Sequence, residues 1–174
     1  MTASAARISA AARRGLCIAA VAVAAPVAAP SVAAAQVPPP ATLWATINSC
    51  DPPQRPASVG VRVSMPNRRN AAQWVRIRLQ FFDTSSKAWR VVKRGGDTSF
   101  TRLSAGGTRV LGGTTFMFTA PKAGSRLKVR GLVEFEWRRG HRVVSTERLH
   151  TTAGHTDPAD PLLAVSQASC DIVR

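Results

Sequence analysis

The chain has no tyrosine, and only nine acidic residues stand against 24 basic ones among its 174 residues. Each shortage narrows the function. Tyrosine is enriched on recognition surfaces, so an antibody-like contact face is disfavoured. Few carboxylates leave few acid–base pairs. Glu134 and Glu136 flank Phe135 on one strand face, where opposing arginines would hold them ionised. A glycosidase acid needs a raised pKa instead. There is no Gly-x-Ser-x-Gly elbow and no His-x-x-x-His pair. The histidines His141, His150 and His155 cluster late in the chain. Catalysis is not expected. No Cys-x-x-Cys occurs, which removes the usual redox and zinc spacings. His150 and His155, with Asp157 and Asp160, match no metal-ligand signature. No cofactor or metal is expected. Gly106-Gly107 and Gly112-Gly113 read as turn punctuation, with no following helix to cradle phosphate.

Residues 1–35 have the layout of a signal peptide. Arg7, Arg13 and Arg14 form a positive start, Gly15 to Ala29 is apolar, and Ala33-Ala34-Ala35 offers a cleavage site. The apolar run is broken by Pro26 and Pro30 and falls short of the ~20 residues a spanning helix needs. No membrane span is expected in the mature chain. Arg13-Arg14 lacks the rest of a twin-arginine signal, so ordinary export is expected. Arg14 stands where a lipobox ahead of Cys17 needs leucine, so Cys17 should leave with the leader. Residues 36–41 form a proline-rich lead-in, and residues 42–174 suit one domain. No sorting signal or apolar tail closes the chain, so release or non-covalent wall association is expected.

Two cysteines then remain, Cys50 and Cys170, separated by 120 residues. In an oxidising compartment they should form a disulfide tying the first strand to the last. Closing so long a loop stabilises by ~4–5 kcal/mol in the chain-entropy model.

The leader holds three of the 24 basic residues and none of the nine acidic ones, so the remainder carries +12. Such a charge attracts anionic polymers or lipid surfaces. Only Lys87, Lys93, Lys122 and Lys128 are lysines there; the other 17 basic residues are arginine. Genome composition alone can enrich arginine and alanine, and the charge then serves solubility.

Beyond the leader the pattern is of short alternating runs. Leu43, Ala45 and Ile47 mark a first strand, and Val59, Val61 and Val63 a second. The third is the clearest, with Val75, Ile77, Leu79 and Phe81 on one face and Trp74, Arg76, Arg78, Gln80 and Phe82 on the other. Shorter strands are expected at Trp89–Val92, Phe100–Leu103, Thr108–Leu111 and Thr114–Thr119. A long strand covers Leu127–Trp137, with a hairpin turn at Arg138–His141 and a return strand over Arg142–Leu149. A last segment, Leu163–Ile172, carries Cys170. Strands at this spacing predict an all-β antiparallel sandwich of about 7–9 strands.

The opening strand ending in Cys50, the run Trp74–Phe82, the stretch Val133–Gly140 with Arg142–Val144, and the terminal Cys170 together resemble immunoglobulin-like β-sandwich modules. Their style, with Thr151–His155 after the last hairpin, is similar to uncharacterised exported proteins of high-GC actinobacteria. The resemblance implies architecture and export, with no activity to carry over.

In such a sandwich Trp74–Phe82 and Leu127–Trp137 are central antiparallel neighbours. Paired residue numbers then share a constant sum. A sum of 212 sets Arg76 opposite Glu136 and Arg78 opposite Glu134, Trp74 opposite Arg138, and Phe82 opposite Arg130. Inside, it sets Ile77 against Phe135, Leu79 against Val133, and Phe81 over Gly131. Arg76 and Arg78 are then a neutralised face and not a binding stripe.

Unneutralised charge collects in turns. Arg68 and Arg69 follow the second strand; Arg138, Arg139 and Arg142, with His141, occupy the late hairpin. These two turns emerge at one end of an immunoglobulin-like sandwich. The five arginines are the candidate anion-binding residues, since guanidinium forks suit phosphate, sulfate or carboxylate. Lys87, Arg90, Lys93 and Arg94 form a weaker second cluster. Trp44 and Trp74 face outward and could support a sugar, whereas Trp137 has core parity. The expected role is an exported, non-catalytic binding or structural module at or outside the cell surface. Its partner would be an anionic wall polymer, a nucleic acid or a surface protein.

Overall fold

The computed structural model describes residues 43–104, 107–156 and 165–174. All belong to a unit spanning Pro38–Arg174. The signal peptide expected at 1–35, the lead-in expected at 36–41, and Asp157, Asp160 and Leu163 lie outside the described residues.

The described residues form nine strands, in order β1 (Trp44–Cys50), β2 (Ser58–Pro66), β3 (Ala72–Asp83), β4 (Ala88–Val91), β5 (Thr101–Arg102), β6 (Arg109–Met117), β7 (Arg126–Arg139), β8 (Arg142–His150) and β9 (Cys170–Val173). One sheet runs β1-β2-β6. The other runs β4-β3-β7-β8, with β5 beside β3 and β9 beside β7. All pairings are antiparallel. This is the immunoglobulin-like order, A-B-E against C′-C-F-G.

The alternation of the sequence explains the core. Ile47, Val61 and Met65 from one sheet meet Ile77, Val133, Phe135 and Trp137 from the other, all essentially inaccessible. Interdigitating inner faces are the main stabilising term in such a sandwich. Cys50 ends β1 and Cys170 begins β9, and their disulfide links the two sheets with a Cα separation of 5.5 Å. Beside it Asp51 accepts two hydrogen bonds from the Arg174 guanidinium, at 2.5 and 2.7 Å. These bonds hold the Asp51 carboxyl below its ordinary pKa.

β3 and β7 are antiparallel neighbours as expected, but the register differs. The paired numbers sum to 210: Trp74 faces Glu136, Arg76 faces Glu134, Ile77 faces Val133, and Leu79 faces Gly131. The expected opposition of Arg76 to Glu136 and of Arg78 to Glu134 is therefore corrected by two residues. Ala72 and not Trp74 pairs with Arg138, and Val129 and not Gly131 pairs with Phe81. A slip of two keeps every side chain on its own face, so burial parity cannot distinguish the two sums. The space at Gly131 is filled by Thr151 and Val61 and not by Phe81. A Cβ there would lie 2.7 Å from Thr151 Cγ2.

A second correction concerns Gly112-Gly113. The expected strands Thr108–Leu111 and Thr114–Thr119 are one, β6, and the glycines lie inside it. A Cβ on Gly113 would meet the Val61 carbonyl oxygen at 2.7 Å, and one on Gly112 would meet Leu103 Cδ2 at 2.5 Å. The glycines permit close approach of neighbouring chain and do not make a turn. Of the last expected segment, the described residues form a strand only over Cys170–Val173.

Candidate functional site

The β2–β3 connection and the β7–β8 hairpin converge at one end of the sandwich. Between them lies an open cleft of about 930 Å³, whose lining includes Arg68, Arg69, Arg102, Arg138 and Arg139. Four of the five expected arginines are thus brought together. Arg142 pairs with Arg139 across the hairpin but does not line the cleft. Arg102 was missed. It lies on β5, opposite Trp74, and no local feature of the sequence marks that two-residue strand as reaching the loop end.

The walls are built from hydrogen bonds. Gln73, buried at the start of β3, donates its side-chain amide to Asn67 Oδ1 at 3.1 Å and to the Ala71 carbonyl at 2.9 Å. Asn67 in turn donates to the Gly107 carbonyl at 2.9 Å. The turn between them passes through Asn70 at φ 63°, a conformation asparagine tolerates. The Leu103 N–H donates to the Gln73 carbonyl at 2.8 Å, which brings β5 to the same rim. Trp137, fully buried, donates its indole N–H to the Pro66 carbonyl at 3.0 Å.

The arginines are not equivalent. Arg68 lies over the Trp137 ring with its guanidinium carbon 3.9 Å from the centroid. Arg138 donates to Glu136 at 2.6 Å and stacks on Trp74 and Phe100 at 4.5 and 4.8 Å. Glu136 therefore neutralises Arg138, while the Arg138–Trp74 cation–π contact expected from sequence forms along a diagonal. Arg69, Arg102 and Arg139 are exposed and have no carboxylate partner among the described residues. They carry the cleft's free charge, above a floor in which Arg68 is oriented by the indole.

The outer face of the second sheet differs. Arg76 donates to Asp97, with Nε 2.9 Å from Oδ1, and its second partner, Glu134, lies 4.0 Å away. Arg78 reaches Glu134 at 3.0 Å, and Arg148 contacts the same carboxylate. The Arg76 guanidinium holds the Asp97 carboxyl below its usual range. Arg78 is neutralised by Glu134 as expected, whereas Arg76 is bonded mainly to Asp97, from a segment that sequence pairing did not consider. Arg130 stacks on Trp89 at 4.2 Å and not on Phe82, which meets Trp89 edge-on.

Two expected platforms are corrected. Trp44 is only 8 % exposed. His155 stacks on it at 4.9 Å between centroids, and Arg62 approaches at 5.5 Å. Trp74 lies beneath Arg138. Neither ring offers an open face for a sugar. In the second basic cluster, Arg90 is bonded to Asp83 at 2.8 Å, and that carboxyl is lowered to about 2 by hydrogen bonds from Ser86 and Arg90.

The sequence matches no family model and no curated protein.

Proposed function

We propose that this protein is an exported, non-catalytic binding module that holds an anionic polymer at the loop-end cleft. The observation that carries the reading is the convergence of Arg68, Arg69, Arg102, Arg138 and Arg139 on one concavity, with Glu136 engaged, among the described residues, by Arg138 alone. Free guanidinium forks on a preformed wall suit repeated phosphate, sulfate or carboxylate groups. The cross-sheet disulfide fits an oxidising compartment, and the leader supports export. A non-catalytic role is supported by how the titratable groups are held. Glu134 and Glu136 are bound by arginines, and His155 is stacked on Trp44 and bonded to Thr152 at 2.9 Å.

The test is binding of the oxidised protein to purified cell wall and to a synthetic polyphosphate across a salt series. Affinity should fall steeply with salt, and each arginine replaced by serine at 69, 102 or 139 should flatten the logarithmic slope by about one unit. Arg76→Ser should leave it unchanged. Binding that ignores salt and survives the triple replacement would point to an uncharged surface instead.

A further inference from the structure

The end of the sandwich opposite the arginine cleft, where β3 finishes and β7 begins, holds a separate concavity of about 320 Å³. Leu79 and Phe81 of β3 and Leu127 and Val129 of β7 line it, and Val92 and Phe118 complete its apolar surface. Leu79 and Val129 are buried in the core. Phe81, Val92, Phe118 and Leu127 pack against that core but keep part of their surface open. The Phe118 N–H donates to the Ala57 carbonyl at 3.1 Å, which ties this wall to the start of β2. Apolar surface gathered in a preformed concavity of this size suits the body of a small ligand, because covering it removes that surface from water.

Among the described residues the pocket is lined by a single charged residue, Arg94, and by no carboxylate. The turn that carries Arg94 is fixed. The Val92 N–H donates to the Leu79 carbonyl at 2.9 Å, and the Leu79 N–H donates to the Gly96 carbonyl at 2.7 Å. Both ends of the turn are thus fastened to one residue of β3. It is tight enough to require its two glycines: Gly95 has φ 70°, and a Cβ on Gly96 would lie 2.6 Å from Val92 Cβ. Arg94 itself is exposed and has no carboxylate partner among the described residues. The acidic residues that flank it in the chain are engaged elsewhere, Asp83 by Arg90 and Asp97 by Arg76.

We propose that this pocket binds a single-chain alkyl carboxylate, the anion of a free fatty acid, with its chain against Phe81, Phe118 and Leu127 and its head at Arg94. The lining calls for both halves of such a ligand. An inorganic anion would leave the apolar surface wet, and a neutral chain would leave the guanidinium unmatched. A carboxylate suits that guanidinium, since the two can form paired parallel hydrogen bonds. The apolar surface recedes into a concavity, which fits a free amphiphile better than insertion into a bilayer. The pocket shares no residue with the arginine cleft, and the two can fail independently.

The probe is sodium decanoate titrated into the oxidised protein and followed by methyl NMR. Decanol, sodium acetate and phosphatidylglycerol vesicles are the comparisons. Saturable binding is expected, with nuclear Overhauser contacts from the alkyl chain to the methyls of Leu79, Val92, Leu127 and Val129. Octanoate should bind about tenfold more weakly, because two fewer methylenes are buried. Decanol and acetate should each bind at least fivefold more weakly than decanoate. Arg94→Gln should erase the preference for decanoate over decanol, and Arg69→Ser should leave it intact. No saturable binding, chain contacts elsewhere on the molecule, or equal binding of decanol overturns the proposal whether or not the glutamine variant folds. A preference that survives in Arg94→Gln overturns it as well. Binding of the vesicles without decanoate would assign this end to a membrane surface instead and also overturn it.

Discussion

Two residues show how local chemistry is settled by packing. Gly131 faces the core where Thr151 closes over it, and Thr151 is itself fixed by hydrogen bonds to the Gly131 N–H at 3.0 Å and the Ala168 carbonyl at 2.6 Å. A methyl at 131 has nowhere to go, since Thr151 cannot swing aside without losing both bonds. Gly131→Ala should destabilise by about 1–3 kcal/mol in chemical denaturation. The same change at Gly124, where a Cβ meets nothing within 4 Å but φ is +79°, should act through backbone strain alone. His155 gives a pH prediction. Burial against Trp44, and then the nearby Arg62, lower its pKa below 6.5. The folded state thus prefers the neutral ring. Its contribution is complete above pH 6.5 and declines as the pH falls from there through the lowered folded value. Tryptophan fluorescence should report loosening over Trp44 in that window, and His155→Phe should remove the dependence.

At the scale of the element, the β3–β7 pair separates what alternation can settle from what it cannot. Both sums, 210 and 212, bury the same residues and set an arginine opposite Glu134. Long guanidinium side chains reach diagonally, so Arg78 finds Glu134 although Arg76 is its direct partner. Double-mutant cycles should detect this. Arg78 and Glu134 should couple by ~0.2–1 kcal/mol, and Arg76 and Glu136 by nothing measurable. A coupling between Arg76 and Glu136 would restore the other register. β6 adds a second case. Gly113→Ala drives a Cβ into the Val61 carbonyl, which belongs to backbone and cannot yield. It should cost about 1–3 kcal/mol and broaden the β2–β6 resonances, whereas Thr115→Ala, on an exposed position, should not.

For the whole molecule, the closing contacts gather at the end of the chain. The disulfide joins β1 to β9, and Arg174 clasps Asp51 one residue beyond Cys50. Replacing both cysteines by serine should lower stability by about 2–5 kcal/mol, measured as a shift in denaturation midpoint. Asp51, with its pKa lowered, adds stability that is present above its unfolded value of 3.8 and is lost as the pH falls through the folded value. Acid should therefore open the terminal clasp, and Arg174→Ala should flatten the stability profile in that range. The net charge distributes unevenly over this frame. Glu134, Glu136 and Asp97 neutralise one sheet face, leaving Arg69, Arg102 and Arg139 as the free charge of the cleft.

Fold class, strand faces, the disulfide partners and the convergence of Arg68, Arg69, Arg138 and Arg139 were all legible in the sequence. Alternation of period two and two remaining cysteines suffice for the first three, and known loop placement in a sandwich suffices for the last. Register, the roles of Asp97 and Arg102, the cover over Trp44 and the continuity of β6 were not. Each depends on a contact between segments far apart in the chain. A period-two pattern is unchanged by a slip of two, and a glycine needed for close approach reads the same as one needed for a turn. Only the packed structure, where Val61 crowds Gly113 and Arg76 turns to Asp97, decides between them.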